Sequence, residues 1–121
     1  MSLLVWIGVA LLGGLAALLR FRLDAFVQTR VAGEFPLGTL VVNLSGSFCL
    51  GLLVGLSVAG DALLLAGTAT LGSFTTFSTW MLETERLGEE GEERLAGANI
   101  VVSLIAGLAA TIAGWLLGAA L

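Results

Sequence analysis

Polar side chains recur at helical spacing in two otherwise apolar stretches, and their chemistry suits a path for a small ion. One stretch carries Asn43, Ser47, Gly51 and Gly55 at every fourth position, and the other carries Asn99, Ser103, Gly107 and Thr111 at the same spacing, so that each has a stripe of small and polar residues. Residues four apart share one face of a helix, and amide and hydroxyl groups donate hydrogen bonds to an anion. Such stripes also let helices pack closely, since small or polar residues bond across a contact. The spacing leaves two interpretations open, a water-filled ion pathway between these two helices and tight packing of one helix against the other.

A third stretch, from Thr68 to Trp80, is rich in hydroxyls and contains a glycine, Gly72. Because Ser, Thr and Gly are poor helix formers, we predict that the chain unwinds there. An intact helix, with hydroxyls bonded to its own carbonyls, is the alternative. Broken helices at membrane depth present free carbonyl and N–H groups that bind ions, and the ring edges of Phe77 and Trp80 carry partial positive charge. Since no carboxylate lies in the apolar stretches, the expected cargo is an anion rather than a cation or a proton.

The composition of this 121-residue chain is that of a membrane protein. The chain is 58% hydrophobic and only 12% charged, whereas soluble domains have about 25% charged residues, and its mean hydropathy is +1.06. One cysteine and no histidine leave no metal-ligand cluster, disulfide framework or histidine-based catalysis. We therefore expect no enzymatic activity, no nucleic-acid partner, and a lipid bilayer around most side chains.

Four uncharged stretches are each long enough to cross a bilayer as a helix, which requires about 20 apolar residues. A helix satisfies its own backbone in hydrocarbon, and the alternating pattern of a membrane barrel is absent. We predict an all-α membrane protein in which residues 1–121 form a single four-helix transmembrane domain, with the third helix broken mid-membrane. The approximate spans are 3–30, 37–60, 62–84 and 95–120, and their even number places both termini on one side.

The positions of the charges predict the orientation. All five arginines lie in the two loops that share one side, after the first span and between the third and fourth, and the opposite side has none. Under the positive-inside rule those loops are cytoplasmic and both termini are outside. The glutamates crowded between residues 83 and 93 are expected to form a solvated hairpin. The expected location is the cell membrane, which the chain crosses several times.

Short motifs occur in order along the first three spans. They are Gly13-Gly14 and Arg20, then Gly38-Thr39-Leu40, Asn43, Gly46-Ser47-Phe48 and Gly51, then Gly72, Thr75-Thr76-Phe77-Ser78-Thr79 and Glu83. This pattern resembles the Fluc/CrcB fluoride channels, and the similarity covers all four spans. The resemblance implies a fluoride-selective channel that lets toxic cytoplasmic fluoride leave the cell by passive permeation. It also implies a dual-topology dimer of two antiparallel subunits with two pores, in which the broken third helices cross around a structural sodium ion (Na+).

The resemblance also assigns residues to the site. Gly72 and Thr75 match the positions whose backbone carbonyls hold the sodium, two from each subunit. Asn43 matches the pore asparagine at the vestibule, and Phe77 matches the first of two phenylalanines whose ring edges face the anion. Trp80 stands where the family has the second phenylalanine, with a larger ring and an added N–H donor. The remaining pore positions carry the hydroxyls of a polar track, and they are Ser78, Thr79, Ser103 and Thr111.

Arg20 matches an arginine near the aqueous vestibule of the family, where positive charge raises the local concentration of anions. A side chain that snorkels to the membrane interface is the alternative for this residue. Because the first and third helices end on the same side, we also expect Glu83 to pair with Arg20. Reversing both charges together should then restore the assembly that each single reversal disrupts.

Further alternatives concern assembly and function class. A subunit with one fixed orientation does not pair antiparallel with itself, so the arginine bias makes a heterodimer with a paralogous subunit the alternative to a homodimer. A small multidrug exporter shares the four-helix plan but needs a glutamate embedded in its first helix, and the first span here has no acid before Arg20. A membrane subunit without transport activity is the remaining alternative, and it would tolerate apolar replacement of Asn43 or Phe77.

Overall fold

The chain folds into helices alone, and the computed structural model describes all residues from 1 to 121. In chain order the elements are α1 (Leu3–Gln28), α2 (Leu37–Gly55), α3 (Gly60–Leu63), a π-helix (Leu64–Leu71), α4 (Gly72–Phe74), α5 (Ser78–Glu89) and α6 (Glu93–Ala120). Three of them, α1, α2 and α6, are long and apolar enough to cross a membrane. The predicted third span is made up of α3, the π-helix, α4 and the first part of α5. The predicted all-α class and the apolar helices typical of a membrane protein are confirmed.

One side chain at the end of α1 holds the connection to α2. Gln28 donates from Nε2 to the Phe35 carbonyl at 3.2 Å and accepts from the Gly38 N–H through Oε1 at 3.0 Å. Pro36 directly precedes α2, where its missing N–H is harmless because the first N–H groups of a helix have no helical partner. α2 is thereby fixed beside α1, with Gly38 against Asp24.

α2 and α6 pack against each other through glycines. Gly51 and Gly55 of α2 lie against the backbone of α6, and Gly114 and Gly118 of α6 lie against the backbone of α2. A β-carbon at any of these positions would lie within 3.0 Å of backbone atoms of the facing helix. Small residues at such spacing let two backbones touch. The packing interpretation of the small-residue stripe is confirmed for Gly51 and Gly55.

The third region, residues 60–89, contains no helix that runs through its whole length. It contains a π-helix, in which Thr70 Oγ1 donates to the Leu65 carbonyl at 2.7 Å, and α4 ends after one turn at Phe74. Thr75 is extended, with φ −79° and ψ 158°, and helical structure resumes only at Ser78. The predicted break in the third helix is confirmed, and the alternative of an intact helix is wrong. The sequence pattern does not predict the π-helix, a rare element that is frequent at functional sites.

The buried core is small and lies next to the break. Ala16 of α1, Val42 of α2 and Phe74 of α4 are buried together, and Leu23 packs at their edge. Only 14 of 121 residues are buried in the single chain, while large apolar side chains such as Leu4, 80% exposed, cover its outside. In water such exposure would cost much of the hydrophobic free energy of folding. The pattern is that of a chain whose solvent is hydrocarbon.

Candidate functional site

A groove of about 790 Å³ is lined by α2, by the broken third region and by α6. Neither a carboxylate nor an arginine belongs to its lining. The groove brings together most of the predicted site residues, although they are far apart in the sequence. These residues are Asn43, Gly72, Thr75, Phe77, Trp80, Ser103 and Thr111.

Asn43 holds the break in place through both ends of its amide. Its Nδ2 donates to the Thr76 carbonyl at 2.8 Å, and its Oδ1 accepts from the Thr76 N–H at 2.8 Å. The side chain thus supplies the two bonds that another turn of helix would have made for the backbone of Thr76. A polar amide in an apolar span is costly unless it is bonded, and here the unwound segment is its partner.

The break frees two backbone carbonyls from helical hydrogen bonding. In a continuous helix the Gly72 carbonyl would accept from the Thr76 N–H, but that N–H bonds to the side chain of Asn43. The Thr75 carbonyl would accept from the Thr79 N–H, but that N–H bonds to the Thr76 hydroxyl at 3.2 Å. The Thr75 carbonyl instead accepts from Arg20 Nη1 at 3.4 Å, which leaves its second lone pair available. Unwound carbonyls of this kind coordinate sodium in membrane proteins. The donors at Gly72 and Thr75 therefore fit a sodium ion, for which one chain offers two oxygens.

Arg20 lines a second, smaller cavity of about 240 Å³ together with Asp24, Thr39 and Thr79. Because its guanidinium bonds to backbone at the break, this placement favours the vestibule interpretation over a snorkelling side chain. Glu83 accepts a hydrogen bond from the Thr39 hydroxyl. The predicted pairing of Arg20 with Glu83 is wrong within the chain, because each group has another partner.

Phe77 and Trp80 stand edge to face where the groove meets the start of α5. Their ring centroids are 5.6 Å apart with an interplanar angle of 86°, and Phe77 is 70% exposed. The indole Nε1 of Trp80 donates to the Asn99 carbonyl at 3.0 Å. The added N–H donor of Trp80 is therefore accepted by a carbonyl of α6 in the structure.

The predicted hydroxyls of the polar track lie in different places. Ser103 and Thr111 line the groove, Thr79 lines the smaller cavity, and Ser78 is exposed outside both. Thr111 donates to a carbonyl of its own helix at 2.9 Å, and Ser103 Oγ lies 3.5 Å from Asn99 Oδ1. Ser103 and Thr111 each have an internal partner, so that either hydroxyl must rotate to donate to a passing anion.

Sequence reasoning misses the partners of Asn99, which is buried and bonds through Nδ2 to Thr84 Oγ1 at 2.8 Å. The polar stripe includes Asn99, yet spacing alone does not reveal which neighbouring helix its amide reaches. The available signal is its chemistry, because an amide in an apolar span requires a hydrogen-bond partner.

The family described as CrcB-like protein, Camphor Resistance (CrcB), matches residues 7–115 of the sequence. The chain belongs to the CrcB family. The match contains every residue that lines the groove, and Arg20 as well. Membership in the CrcB family excludes the multidrug-exporter alternative.

Several curated proteins are similar to this CrcB chain over most of its length. It is 60% identical over 110 residues to the fluoride-specific ion channel FluC 2 of Mycolicibacterium paratuberculosis, covering 91% of this chain and 90% of that protein. It is 54% identical over 114 residues to FluC 2 of Mycobacterium tuberculosis strain H37Rv, covering 94% and 90%. It is 48% identical over 107 residues to the fluoride-specific ion channel FluC 1 of Rubrobacter xylanophilus, covering 88% and 86%. These relatives are named as channels, in agreement with the expectation that the chain is not an enzyme.

Proposed function

We propose that this CrcB protein is a subunit of a fluoride-selective ion channel through which toxic cytoplasmic fluoride leaves the cell passively. The observation that carries the proposal is the groove, whose largely apolar wall carries amide, hydroxyl and aromatic groups and no carboxylate. A small anion there exchanges water for hydrogen-bond donors and the positive edges of aromatic rings, whereas the embedded carboxylates on which cation and proton pathways are built are absent. The names of the relatives support fluoride as the anion.

Two sources of positive potential favour the entry of an anion. α5 begins at Ser78, directly after the break, and the N-terminus of a helix carries a partial positive charge. Arg20 adds a full positive charge at the break itself, where it bonds to the Thr75 carbonyl, although the smaller cavity that it lines also contains the Asp24 carboxylate. We infer that anions gather near Arg20 and Asn43 and then pass the edge of Phe77, which is 70% exposed at the start of α5.

The groove of a single chain is open on one side, and a second subunit would close it. We propose an antiparallel dimer in the cell membrane, in which each chain crosses the bilayer four times, the third helix is broken mid-membrane, and the arginine-bearing loops are cytoplasmic. The carbonyls of Gly72 and Thr75 from both subunits would hold one sodium ion. The charge of that ion would offset the repulsion between the four oxygens.

The second subunit is either another copy of this chain or a paralogue. Five arginines on one side and none on the other favour one fixed orientation, and a chain inserted in one orientation needs an oppositely oriented partner. The numbering of the relatives as FluC 1 and FluC 2 supports genomes with two such chains. Reconstitution of this chain alone separates the two assemblies.

The test is reconstitution of the purified chain alone into liposomes loaded with fluoride or with chloride, with release recorded by electrodes selective for each anion. A homodimeric channel releases fluoride and retains chloride. If the folded chain alone releases no fluoride, co-expression with a paralogue whose arginines lie on the opposite side should give fluoride release, as expected of a heterodimer.

Phe77→Leu is the matched variant, since it keeps an apolar side chain and removes the ring edge. We expect slower fluoride release from this variant in whichever assembly conducts. Absence of fluoride release in both assemblies, or equal release of both anions, would overturn the proposal. Unchanged release from Phe77→Leu would remove Phe77 from the pathway.

A further inference from the structure

Asn99 is 1% exposed near the start of α6, and it bonds to α5 in three ways. Its Nδ2 donates to Thr84 Oγ1 at 2.8 Å and to the Trp80 carbonyl at 3.4 Å. Its own backbone carbonyl accepts the indole N–H of Trp80 at 3.0 Å. Thr84 closes the set by donating to the Trp80 carbonyl at 2.8 Å. We refer to Trp80, Thr84 and Asn99 as the tryptophan clamp.

The clamp fixes a ring that forms part of the groove wall. Trp80 lines the groove, whereas Thr84 and Asn99 do not. Thr84 reaches the groove only through Trp80, and Asn99 reaches it through Trp80 and through a long bond of 3.5 Å from the groove hydroxyl of Ser103. An indole whose N–H is bonded to a rigid helix has one ring orientation, and here that orientation is perpendicular to Phe77, at 86°. Phenylalanine has no N–H and would lack this restraint.

We propose that Asn99 and Thr84 are positioning residues that set the orientation of the Trp80 ring beside Phe77, and that this orientation controls the rate and selectivity of anion passage. The inference rests on the proposed function, because it assigns the clamp to the fluoride path. Because Trp80 already lines the groove, a different orientation of its large ring would change the shape of the groove beside Phe77. The groove beside Phe77 is therefore shaped by residues that no anion touches.

A purely structural role for the clamp predicts something different. If Asn99 only joins α5 to α6, its replacement lowers stability and the amount of folded channel, while each remaining channel keeps its rate and selectivity. If it positions Trp80, the replacement changes the ring environment and the rate per folded channel. The indole N–H bonds to the backbone carbonyl of residue 99, which every substitution keeps. The Asn99 amide therefore acts on the ring by holding that part of α6 against α5, and this dependence must disappear when the residue at position 80 has no N–H.

The experiment compares Asn99→Leu and Thr84→Val, each made in the wild-type chain and in the Trp80→Phe chain. Leu87→Ala is the control, because Leu87 is fully buried on α5 and is outside the clamp. Fluoride and chloride release are measured per folded channel in liposomes of the assembly that conducts. In parallel, Trp80 fluorescence is recorded in a chain whose other tryptophans, Trp6 and Trp115, are replaced by phenylalanine.

Asn99→Leu removes the Nδ2 bonds to Thr84 Oγ1 and to the Trp80 carbonyl, which stay bonded to each other. The loss of two such bonds corresponds to about a tenfold change in an equilibrium. We therefore expect Asn99→Leu to slow fluoride release about tenfold, to change the fluoride-to-chloride ratio and to shift the Trp80 emission. In the Trp80→Phe chain the same substitution should change release less than about threefold, since coupled residues are non-additive. Leu87→Ala should lower stability and leave the ratio and the emission unchanged.

Unchanged release and emission in Asn99→Leu would overturn the inference, as would equal effects in the wild-type and Trp80→Phe chains. The inference would also be overturned if Leu87→Ala changed fluoride release, the fluoride-to-chloride ratio and the Trp80 emission as much as Asn99→Leu does. The clamp would then act only through stability. Failure of the proposed function gives a different result from failure of this inference. In that case no assembly of the wild-type chain releases fluoride, although the emission of Trp80 still responds to Asn99→Leu.

Discussion

Replacing Asn43 with leucine would remove the two bonds that hold the break, while keeping a side chain of similar size. Each of the 2.8 Å bonds to Thr76 contributes about 1 kcal/mol net, and a buried N–H or carbonyl left unpaired costs about 1–3 kcal/mol. Losing the pair therefore destabilises the observed break by about 2–4 kcal/mol, which is about 30- to 1000-fold in its population.

The expected structural result is a third helix that closes across the break. The N–H of Thr76, once released from Asn43, is free to bond the carbonyl of Gly72 four residues earlier, as in any α-helix. That bond would remove one of the two carbonyls proposed for sodium. Fluoride release from Asn43→Leu should consequently fall at least about 30-fold relative to wild type.

The assay is fluoride release per folded channel, measured in the assembly that conducts, with folding checked by size-exclusion chromatography and circular dichroism. Asn43→Gln is the graded control, because glutamine keeps the amide donor and acceptor without adding a charge and places them one methylene farther from α2. Its loss of flux should be intermediate. Release from folded Asn43→Leu within about threefold of wild type would refute the reasoning, since so small a change corresponds to less than about 1 kcal/mol.

The other predictions concern helix packing and charge. Gly114→Ala should lower the stability of the channel in detergent by about 1–3 kcal/mol, because the new methyl group meets the backbone at Phe48. Gly97→Ala on the same helix, with nothing within 4 Å of the added carbon, should leave thermal unfolding unchanged or raise its midpoint. Arg20→Gln should slow fluoride release about tenfold and make it less sensitive to ionic strength. Equal rates and equal salt dependence would exclude a steering role for Arg20, and Arg20→Lys should retain most of the salt dependence.

The break in the third helix is predictable because its cause is local. Hydroxyl-bearing residues around Thr75 and the glycine at position 72 weaken a helix wherever they occur, and the structure unwinds at that point. The close contact at Gly51 and Gly55 is predictable for a similar reason, since a stripe of small residues has few uses other than close approach. Sequence pattern therefore identifies where the chain bends and which faces meet.

The choice of hydrogen-bond partners is not predictable in the same way. Spacing gives the face of a helix, but the rotation of each helix against its neighbours comes from packing of the whole chain. The order of the helices places Arg20 and Glu83 at one end, yet Arg20 bonds to Thr75 and Glu83 accepts from Thr39. For the same reason Asn43, read from the sequence as pore lining or helix packing, holds the backbone of the break.

The open groove also has a consequence for biosynthesis. In a newly inserted lone chain its amide and hydroxyl groups and the free carbonyls of the break would face acyl chains, where unsatisfied polar groups are costly. Pairing with a second subunit removes that cost, so that assembly is driven by covering polar surface as well as by apolar packing. Unpaired chains should therefore be short-lived and susceptible to membrane proteases. If the partner is a paralogue, the cell must produce the two chains in matched amounts.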